Sequence, residues 1–462
     1  MKILYALHKF LPRYFSGTEM YTYNLAKELQ KRGHQVQIFC AEDVEKGQGH
    51  RVSAYDDPYD GLEVHRITFN RKKAPDIIRS SYDNPVVAEH FTSFVSSWKP
   101  DVVHITSFLN LSAAIIEPLK AHGIPSVFTA TDFWSFCPKS TFLSYDFSLC
   151  TNPEPMKCLS CIISLSPFYT TFLRNIRVSP LLVAQTFSLL SRLPVAQNNS
   201  YIKGRRALED RPAYILGMLK NLDLIITPTP FLNKFFLDAG FSSEKVLVSE
   251  FGLAATRPKP DRSPSVQPLL RFGYIGILAH LKGVDILIRS FLQAATPDQA
   301  VLKIYGDDSH FPTYANQLKR MAEKAPNIFF GGTFPPERLG EILSEIDVLI
   351  VPSIWYENTP LVLLSALAAG VPVIASDVPG ITHVVHDGLN GLLFSRGSIE
   401  SLTRRLDQVL QEPPLIQRLG ETVTPIKSIA DNGQELEEHY RSLVQKNCGQ
   451  PESGRKLTQT FI

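Results

Sequence analysis

Apolar positions along the first third of this chain follow two periods in turn. Lys2–Leu7 is a short apolar run that reads as a buried strand, and a loop follows it through Pro12 and Gly17. Thr18–Arg32 then has helical spacing, with Tyr21, Leu25 and Leu29 on one stripe and Gly33 as its stop. Gln35–Cys40, Asp101–Ile105 and Pro125–Thr129 are further apolar runs bounded by breakers, with a helix-length segment between the last two. This alternation predicts a parallel, doubly wound sheet. The rhythm breaks from residue 133 to about 220, a stretch with many aromatics and four cysteines that reads as an insertion. It resumes with a strand at Leu222–Thr227 and a helix at Phe231–Ala239.

Arg257–Leu269 is rich in proline and serine and reads as an interdomain linker. A second alternating set follows. Strands are expected at Phe272–Ile277, Ala300–Tyr305, Asp347–Val351 and Val371–Ala375, and helices at Val284–Gln293, Glu337–Ile346 and Leu361–Ala369. The predicted fold class is α/β: two doubly wound, Rossmann-like domains facing a cleft, over residues 1–256 and 257–425. A helix over 426–447, around Leu436–Leu443, is expected to cross back to the first domain, and 448–462 to be a disordered tail. Ligands in such sheets bind beyond the carboxyl ends of the strands.

Composition narrows the function. The 462 residues suffice for two or three domains with cores of their own, and 44% hydrophobic with 20% charged residues is ordinary for a globular protein. A net charge of +2 gives no field to recruit nucleic acid, and no basic-aromatic stripe does so locally. Residues 2–7 lack the long apolar core of a signal peptide. The most membrane-like stretch, Val178–Ala196, is interrupted by Gln185, Arg192 and Pro194, short of the roughly 18 apolar residues a span requires. The expected location is cytoplasmic.

The most informative loop is Pro352-Ser353-Ile354-Trp355-Tyr356-Glu357-Asn358-Thr359-Pro360-Leu361. A strand ends before it, Pro360 opens a helix at a position proline favours, and free N–H groups there suit an anion. Glu357 beside them could accept hydrogen bonds from sugar hydroxyls; equally, it could be a solvated glutamate on a surface loop. Cys137, Cys150, Cys158 and Cys161 form a second signal, since the closing C-x-x-C is a spacing zinc sites use. One structural zinc and four buried thiols are both open. A third is Leu181, Leu182, Phe187, Leu189 and Leu190 beside Arg174, Arg177, Arg192, Lys203, Arg205 and Arg206. Such a segment could make peripheral contact with an anionic membrane at the inner surface, or simply pack on the first domain. His8, His34 and His104 read as structural, with His8 and His104 near the cleft edge.

Taken in order, these elements resemble glycosyltransferase family 4, the retaining enzymes of GT-B architecture. The stretch from Gly273 to Phe394 carries the resemblance: Gly273-Tyr274-Ile275-Gly276, Lys282-Gly283, Asp347 through Pro352-Ser353, Glu357, Gly370-Val371-Pro372-Val373 and Asp387-Gly388-Leu389-Asn390-Gly391. The first half matches more weakly, through Gly17-Thr18-Glu19, Gly33-His34 and Asp101-Val102-Val103-His104. The resemblance implies transfer from a nucleoside-diphosphate sugar to a glycan or lipid-linked acceptor, with no cofactor required. It places the donor diphosphate at Lys282, the first donor-site glutamate at Glu357 and the glycine-rich acceptor-side loop at Gly17. Asp132 joins Lys282 and Glu357 as a catalytic candidate, and Gly276, Asn358, Thr359, Pro360, Leu361 and Ser365 as substrate-binding ones.

Four positions depart from that pattern. Ser365 replaces a ribose-binding glutamate, Ile277 a diphosphate arginine, Thr131 a histidine before Asp132, and His383 a glutamate after a Pro-Gly turn. Ser365, Ile277 and Thr131 favour one rival, a non-catalytic relative acting as binding partner or scaffold. A second rival is another GT-B chemistry, a nucleotide-sugar epimerase or hydrolase, which product analysis separates from transfer. The lack of a G-x-G-x-x-G after either first strand argues against a dehydrogenase.

Overall fold

Strands buried on both faces read as continuous apolar runs, and here each run splits its side chains between two layers. In Lys2–Leu7, Leu4 and Ala6 join one core while Ile3, Tyr5 and Leu7 join another. The computed structural model describes residues 1–44, 51–166, 169–173, 175–190, 200–254, 269–422 and 425–448, apart from the side chains of 188, 190, 200–202 and 448. The expected linker Arg257–Leu269, apart from Leu269 itself, and the tail from 449 lie outside the described residues.

The first sheet contains β1 Lys2–Leu7, β2 Gln35–Asp43, β3 Ser53–Asp56, β4 Glu63–Phe69, β5 Val102–Ile105, β6 Ser126–Thr129, β7 Leu224–Thr227 and β8 Val246–Val248. Their order is β3-β4-β2-β1-β5-β6-β7-β8, parallel except for the β3–β4 edge pair. The second contains β9 Leu270–Ile275, β10 Ala300–Tyr305, β11 Ile328–Gly332, β12 Val348–Val351, β13 Val373–Ser376 and β14 Gly391–Phe394. Their order is β11-β10-β9-β12-β13-β14, all parallel. Strand order reverses between β1 and β5 in one sheet and between β9 and β12 in the other. Those reversals open crevices at the strand carboxyl ends, where ligands of doubly wound sheets bind.

Helices cover both sheets. Helix Ser200–Leu219 buries Ala207, Leu208, Ile215 and Leu219, and Tyr82 Oη donates to Ala207 O at 2.7 Å. It is therefore the crossover between β6 and β7, and the added segment is shorter than the 133–220 read from the sequence. The helix expected at Glu337–Ile346 is a 3₁₀ turn, Pro336–Arg338, continued by Leu339–Ser344. Helix Ile429–Cys448 packs on the first domain: Tyr440 Oη meets Tyr5 Oη at 3.1 Å, and Asn432 Oδ1 accepts from Tyr21 Oη at 3.0 Å. The chain passes between domains where Leu253 N–H donates to Lys427 O and Ile429 N–H to Leu253 O, at 2.9 and 2.8 Å. Among the described residues no helix is long and apolar enough to cross a membrane.

Candidate functional site

Four loops lie at the two crevices: those after β1 and β5 in the first domain, and those after β9 and β12 in the second. The β9 loop brings Lys282 to the β12 loop because a glycine follows it. Gly283 has φ +66°, and a Cβ there would sit 2.0 Å from Pro352 O, so a larger residue would drive the loops apart. Ile354 N–H donates to Leu281 O at 2.9 Å and fixes their register. Lys282 Nζ then reaches Glu357 Oε1 at 2.6 Å. The same oxygen accepts from Ser353 Oγ at 2.5 Å and Trp355 Nε1 at 2.8 Å. The ammonium also lies 5.0 Å from the centre of the Trp355 ring. Glu357 is 3% exposed, so one buried carboxylate oxygen collects three donors.

Beyond Glu357 the backbone is under local strain. Thr359 has φ +59°, unusual for a β-branched residue, and its hydroxyl donates to Gly380 O at 3.3 Å. A Cβ at Gly380 would lie 1.7 Å from Glu357 O, so only glycine lets this turn press against the loop. Pro360 stands at the N-cap of helix Leu361–Ala368, one place earlier than the first-turn position expected. Leu363 and Leu364 N–H both donate to Pro360 O, at 3.0 and 3.2 Å, which leaves the N–H groups of Leu361 and Val362 as the helix-start donors without an intrahelical acceptor. Gly276, at the end of β9, has its carbonyl where a Cβ at Gly306 would lie, 2.0 Å away.

Asn358 does something else. Its Nδ2 donates to Ala130 O at 2.8 Å and its Oδ1 faces Thr229 Oγ1 at 3.4 Å, so its side chain joins the two domains. Ser365 is 1% exposed, and its hydroxyl donates to Leu361 O at 2.9 Å. That proton is committed to its own helix rather than to a ligand. His383 pairs with Glu250 across the domains at 2.9 Å. Beside it lies a cavity of about 90 Å³ lined by Glu250, Thr359, Leu364, His383, His386 and Lys427. Neither Lys282 nor Glu357 lines it.

The first domain offers hydroxyls and one unusual carboxyl. Thr18, in the first turn of helix Gly17–Lys31, donates to Thr131 Oγ1 at 2.9 Å, and Thr131 donates to Thr106 O at 2.7 Å. Thr22 and Thr106 share a hydrogen bond of 2.7 Å. Space beside Gly17 is open, with nothing within 4 Å of where a Cβ would point. The neighbouring His8 pairs with Glu19 at 3.3 Å while its buried Nδ1 has no partner, and burial pulls its pKa down. Asp132 Oδ1 accepts from Trp134 N–H at 2.7 Å, and no cation among the described residues stands within ion-pair distance. Desolvation pushes its carboxyl up to about 6.

His104 is structural, as its position suggested. It bonds Thr129 Oγ1 at 2.8 Å and Tyr440 Oη, and burial pulls it down to about 3. His34 likewise pairs with Glu437 at 3.2 Å. Sequence reasoning missed the threonine set, and also Arg66. This fully buried arginine binds Glu42, Asp57 and the carbonyls of Phe10 and Leu11, and so fixes the loop before Gly17. Its signal was an arginine between Val64 and Ile67 in a strand of alternating polar and apolar residues.

Cys137, Cys150, Cys158 and Cys161 line one cavity and are free thiols. Among the described residues, no three His, Cys, Asp or Glu side chains converge closely enough to hold a metal as they stand. Leu165, Phe172, Ile176, Leu182 and Leu189 are exposed, whereas Leu181 and Phe187 are partly covered. Arg174, Arg192 and the side chain of Leu190 lie outside the described residues.

Two family models match this chain. The one described as glycosyl transferases group 1 matches residues 259–424, and the one described as Glycosyltransferase Family 4 matches 15–180. A D-inositol 3-phosphate glycosyltransferase of Corynebacterium aurimucosum is 32% identical over 155 residues, covering 32% of this chain and 36% of that protein. An N-acetyl-alpha-D-glucosaminyl L-malate synthase of Bacillus anthracis is 28% identical over 148 residues, 32% of this chain and 38% of that one. The matched segments thus span little more than a third of these relatives. Among solved structures, a sucrose-phosphate synthase from Thermosynechococcus elongatus superposes with TM-score 0.64 at 16% identity, covering 96% of this chain and all of that one. Anabaena Alr3699/HepE, solved with UDP and glucose, gives 0.60 at 15% identity, with coverage of 96% and 100%. At such identities these structures establish the fold: two Rossmann-like domains in the GT-B arrangement.

Proposed function

This chain belongs to the group 1 glycosyltransferases, family 4 in kind, and from that premise we propose that it moves a sugar from a nucleoside-diphosphate donor to a glycan or lipid-linked acceptor with retention of configuration. The observation that carries this reading is the Lys282–Glu357 pair, 2.6 Å apart, with Glu357 four residues before the start of helix Leu361–Ala368. In the reaction the bond from the anomeric carbon to the β-phosphate oxygen breaks. The acceptor oxygen bonds to the same face, and its proton passes to the departing diphosphate. Lys282 leaves Glu357 to meet the growing negative charge on that leaving group, assisted by the helix N–H groups in place of a metal ion. Glu357, held by Ser353 and Trp355, accepts from sugar hydroxyls. Asp132 and the threonine set receive the acceptor from the other side.

The exposed Leu165, Phe172, Ile176, Leu182 and Leu189, with Arg177, Lys203, Arg205 and Arg206 nearby in the chain, support peripheral contact with an anionic bilayer carrying a lipid-linked acceptor. The scaffold reading keeps one specific support, the commitment of the Ser365 hydroxyl to Leu361 O. Thermal-shift screening of the full chain against nucleoside diphosphates and their sugars tests both. Selective stabilisation by one donor, followed by a product of unchanged anomeric configuration, is expected. An inverted product overturns retention; no stabilisation at millimolar donor transfers the case to a scaffold.

A further inference from the structure

Transfer uses none of the four cysteines gathered in the first domain. Cys137 ends the turn that starts at Phe133, its N–H donating to Phe133 O at 2.8 Å. Cys150 lies on a returning arm, its N–H donating to Phe142 O at 2.7 Å. Cys158 and Cys161 are three residues apart on helix Pro155–Ile163 and share a face. All four line a single cavity of about 20 Å³, with Lys139 and Lys157 at its wall. We propose that this cavity is the site of one structural zinc ion, bound by the thiolates of Cys137, Cys150, Cys158 and Cys161.

Size and lining both point to a single soft cation. A space of this volume admits about one water-sized body, and a buried water needs two to four polar partners. Four sulfurs are poor partners for water and good ones for zinc. A second observation comes from Arg211, which is 2% exposed, on the helix packed behind the cluster. One guanidinium nitrogen donates to Trp134 O, the group lies 5.1 Å from the Trp134 ring centre, and Nε has no acceptor. No carboxylate among the described residues forms an ion pair with it, and burial pulls its pKa down to about 10, with Cys137, Cys158 and Asp132 near enough to offset part of that. A zinc tetrathiolate would carry two net negative charges and place them beside this buried cation, which has no ion-pair partner among the described residues. As thiols the four side chains do not meet at one point. Zinc draws them together and releases four protons, one from each sulfur.

The ion would secure more than the insertion. The segment between Cys137 and Cys150 leans on the second domain: Phe142 lies 6.2 Å from Tyr356 and Phe147 5.5 Å from His280, ring centre to ring centre. Arg396 Nη1 donates to Ile354 O at 2.7 Å and to Phe147 O at 3.4 Å. The proposed site therefore braces the loops that carry Lys282 and Glu357.

Metal analysis of the untagged full chain, purified without chelator, is expected to give about one zinc per chain. Stripping it with a chelator should expose four further titratable thiols, lower the melting temperature and open residues 137–161 to protease. Cys161→Ser should lose the metal and Cys161→His retain it; cobalt exchanged into the wild type should show the d–d bands of a tetrahedral thiolate site. Zinc-free wild type with four readily titrated thiols and a melting temperature indifferent to chelator overturns the proposal. So does zinc-free protein whose thiols titrate only after reduction, since that marks two disulfides.

Discussion

Glu357 and Asp132 come to the cleft from opposite domains, each within two residues of the bridge between Asn358 Nδ2 and Ala130 O, yet their surroundings differ. Glu357 is more deeply buried but surrounded by donors: an ammonium, a hydroxyl and an indole N–H on a single oxygen. Asp132 has one backbone N–H, aromatic neighbours and no cation within ion-pair distance among the described residues, and its carboxyl rises to about 6. Depth alone therefore does not decide how a carboxyl behaves; the donors that come with it do. The donor side is built to hold and match charge. Under the proposed transfer, a carboxyl raised to about 6 on the first-domain side is one whose proton exchanges near neutral pH, a property useful toward an incoming hydroxyl.

The largest expected effect follows from removing the charge on the donor side. Glu357→Gln keeps the shape and the Ser353 and Trp355 bonds but loses the ion pair, and should lower kcat/KM by roughly 10²–10³-fold. Steady-state transfer assays check this, with circular dichroism to confirm the fold; a loss under threefold would show that the glutamate touches nothing in the transition state. Next is Lys282→Ala, which should weaken nucleoside diphosphate binding by about ten- to a hundredfold, as a lost charged hydrogen bond of roughly 1.5–3 kcal/mol implies. Nucleoside binding, measured by calorimetry in parallel, should barely change. Equal losses for both ligands would remove the lysine from the phosphate.

Asp132 gives the opposite sign. Its folded pKa lies above the ordinary 3.8, so between about pH 4 and 6 the native state holds a proton the unfolded state has released. Stability from this group falls as pH rises through that window, and at pH 7.5 the native state carries the cost of a desolvated carboxylate. Asp132→Asn should then be more stable than wild type by about 3 kcal/mol at pH 7.5, and equal to it near pH 3.5. Urea unfolding of both proteins at the two pH values checks this. Turnover should fall at the same time. A variant less stable at pH 7.5 would mean that the carboxylate has a cation partner after all.

The same contrast explains what could be read from the chain. The two sheets were legible because their strands are buried on both faces and bounded by glycine and proline. Strands β3, β4, β8, β11 and β14 were not: Ser53–Asp56 is wholly exposed, Val246–Val248 and Ile328–Gly332 mix exposed with buried positions, Glu63–Phe69 interleaves Glu63, His65, Arg66 and Thr68 with its apolar residues, and Gly391–Phe394 is only four residues long. The donor loop was legible because Ser353, Trp355, Glu357 and Pro360 are neighbours in sequence. Even there, the roles of Asn358 and Ser365 depend on Ala130 O and Leu361 O, partners that sequence order cannot name. The first-domain face of the cleft is assembled from Thr18, Thr106, Thr131 and Arg66, brought together by pairing of β1, β5 and β6 and by the β2–β4 register. No spacing rule connects them.

The smallest effect tests how finely the donor side is tuned. Trp355 touches Glu357 through its indole N–H, while its ring lies over Lys282 and makes an edge contact with Phe133 at 6.3 Å. Trp355→Phe removes the N–H and keeps an aromatic face. One of three donors on Glu357 Oε1 is lost, at a cost of about 1 kcal/mol, or roughly fivefold in kcat/KM. Because the indole positions Glu357 without touching the sugar, the change should fall on donor KM more than on kcat. Trp355→Ala also removes the ring from Lys282 and from Phe133, and should lose severalfold more with a lower melting temperature. The pair separates two explanations of the donor side. A Phe variant as poor as the Ala variant assigns the whole effect to the hydrogen bond on Oε1. A Phe variant equal to wild type would mean that Lys282 and Ser353 hold the carboxylate by themselves, and that donor number is not what distinguishes Glu357 from Asp132.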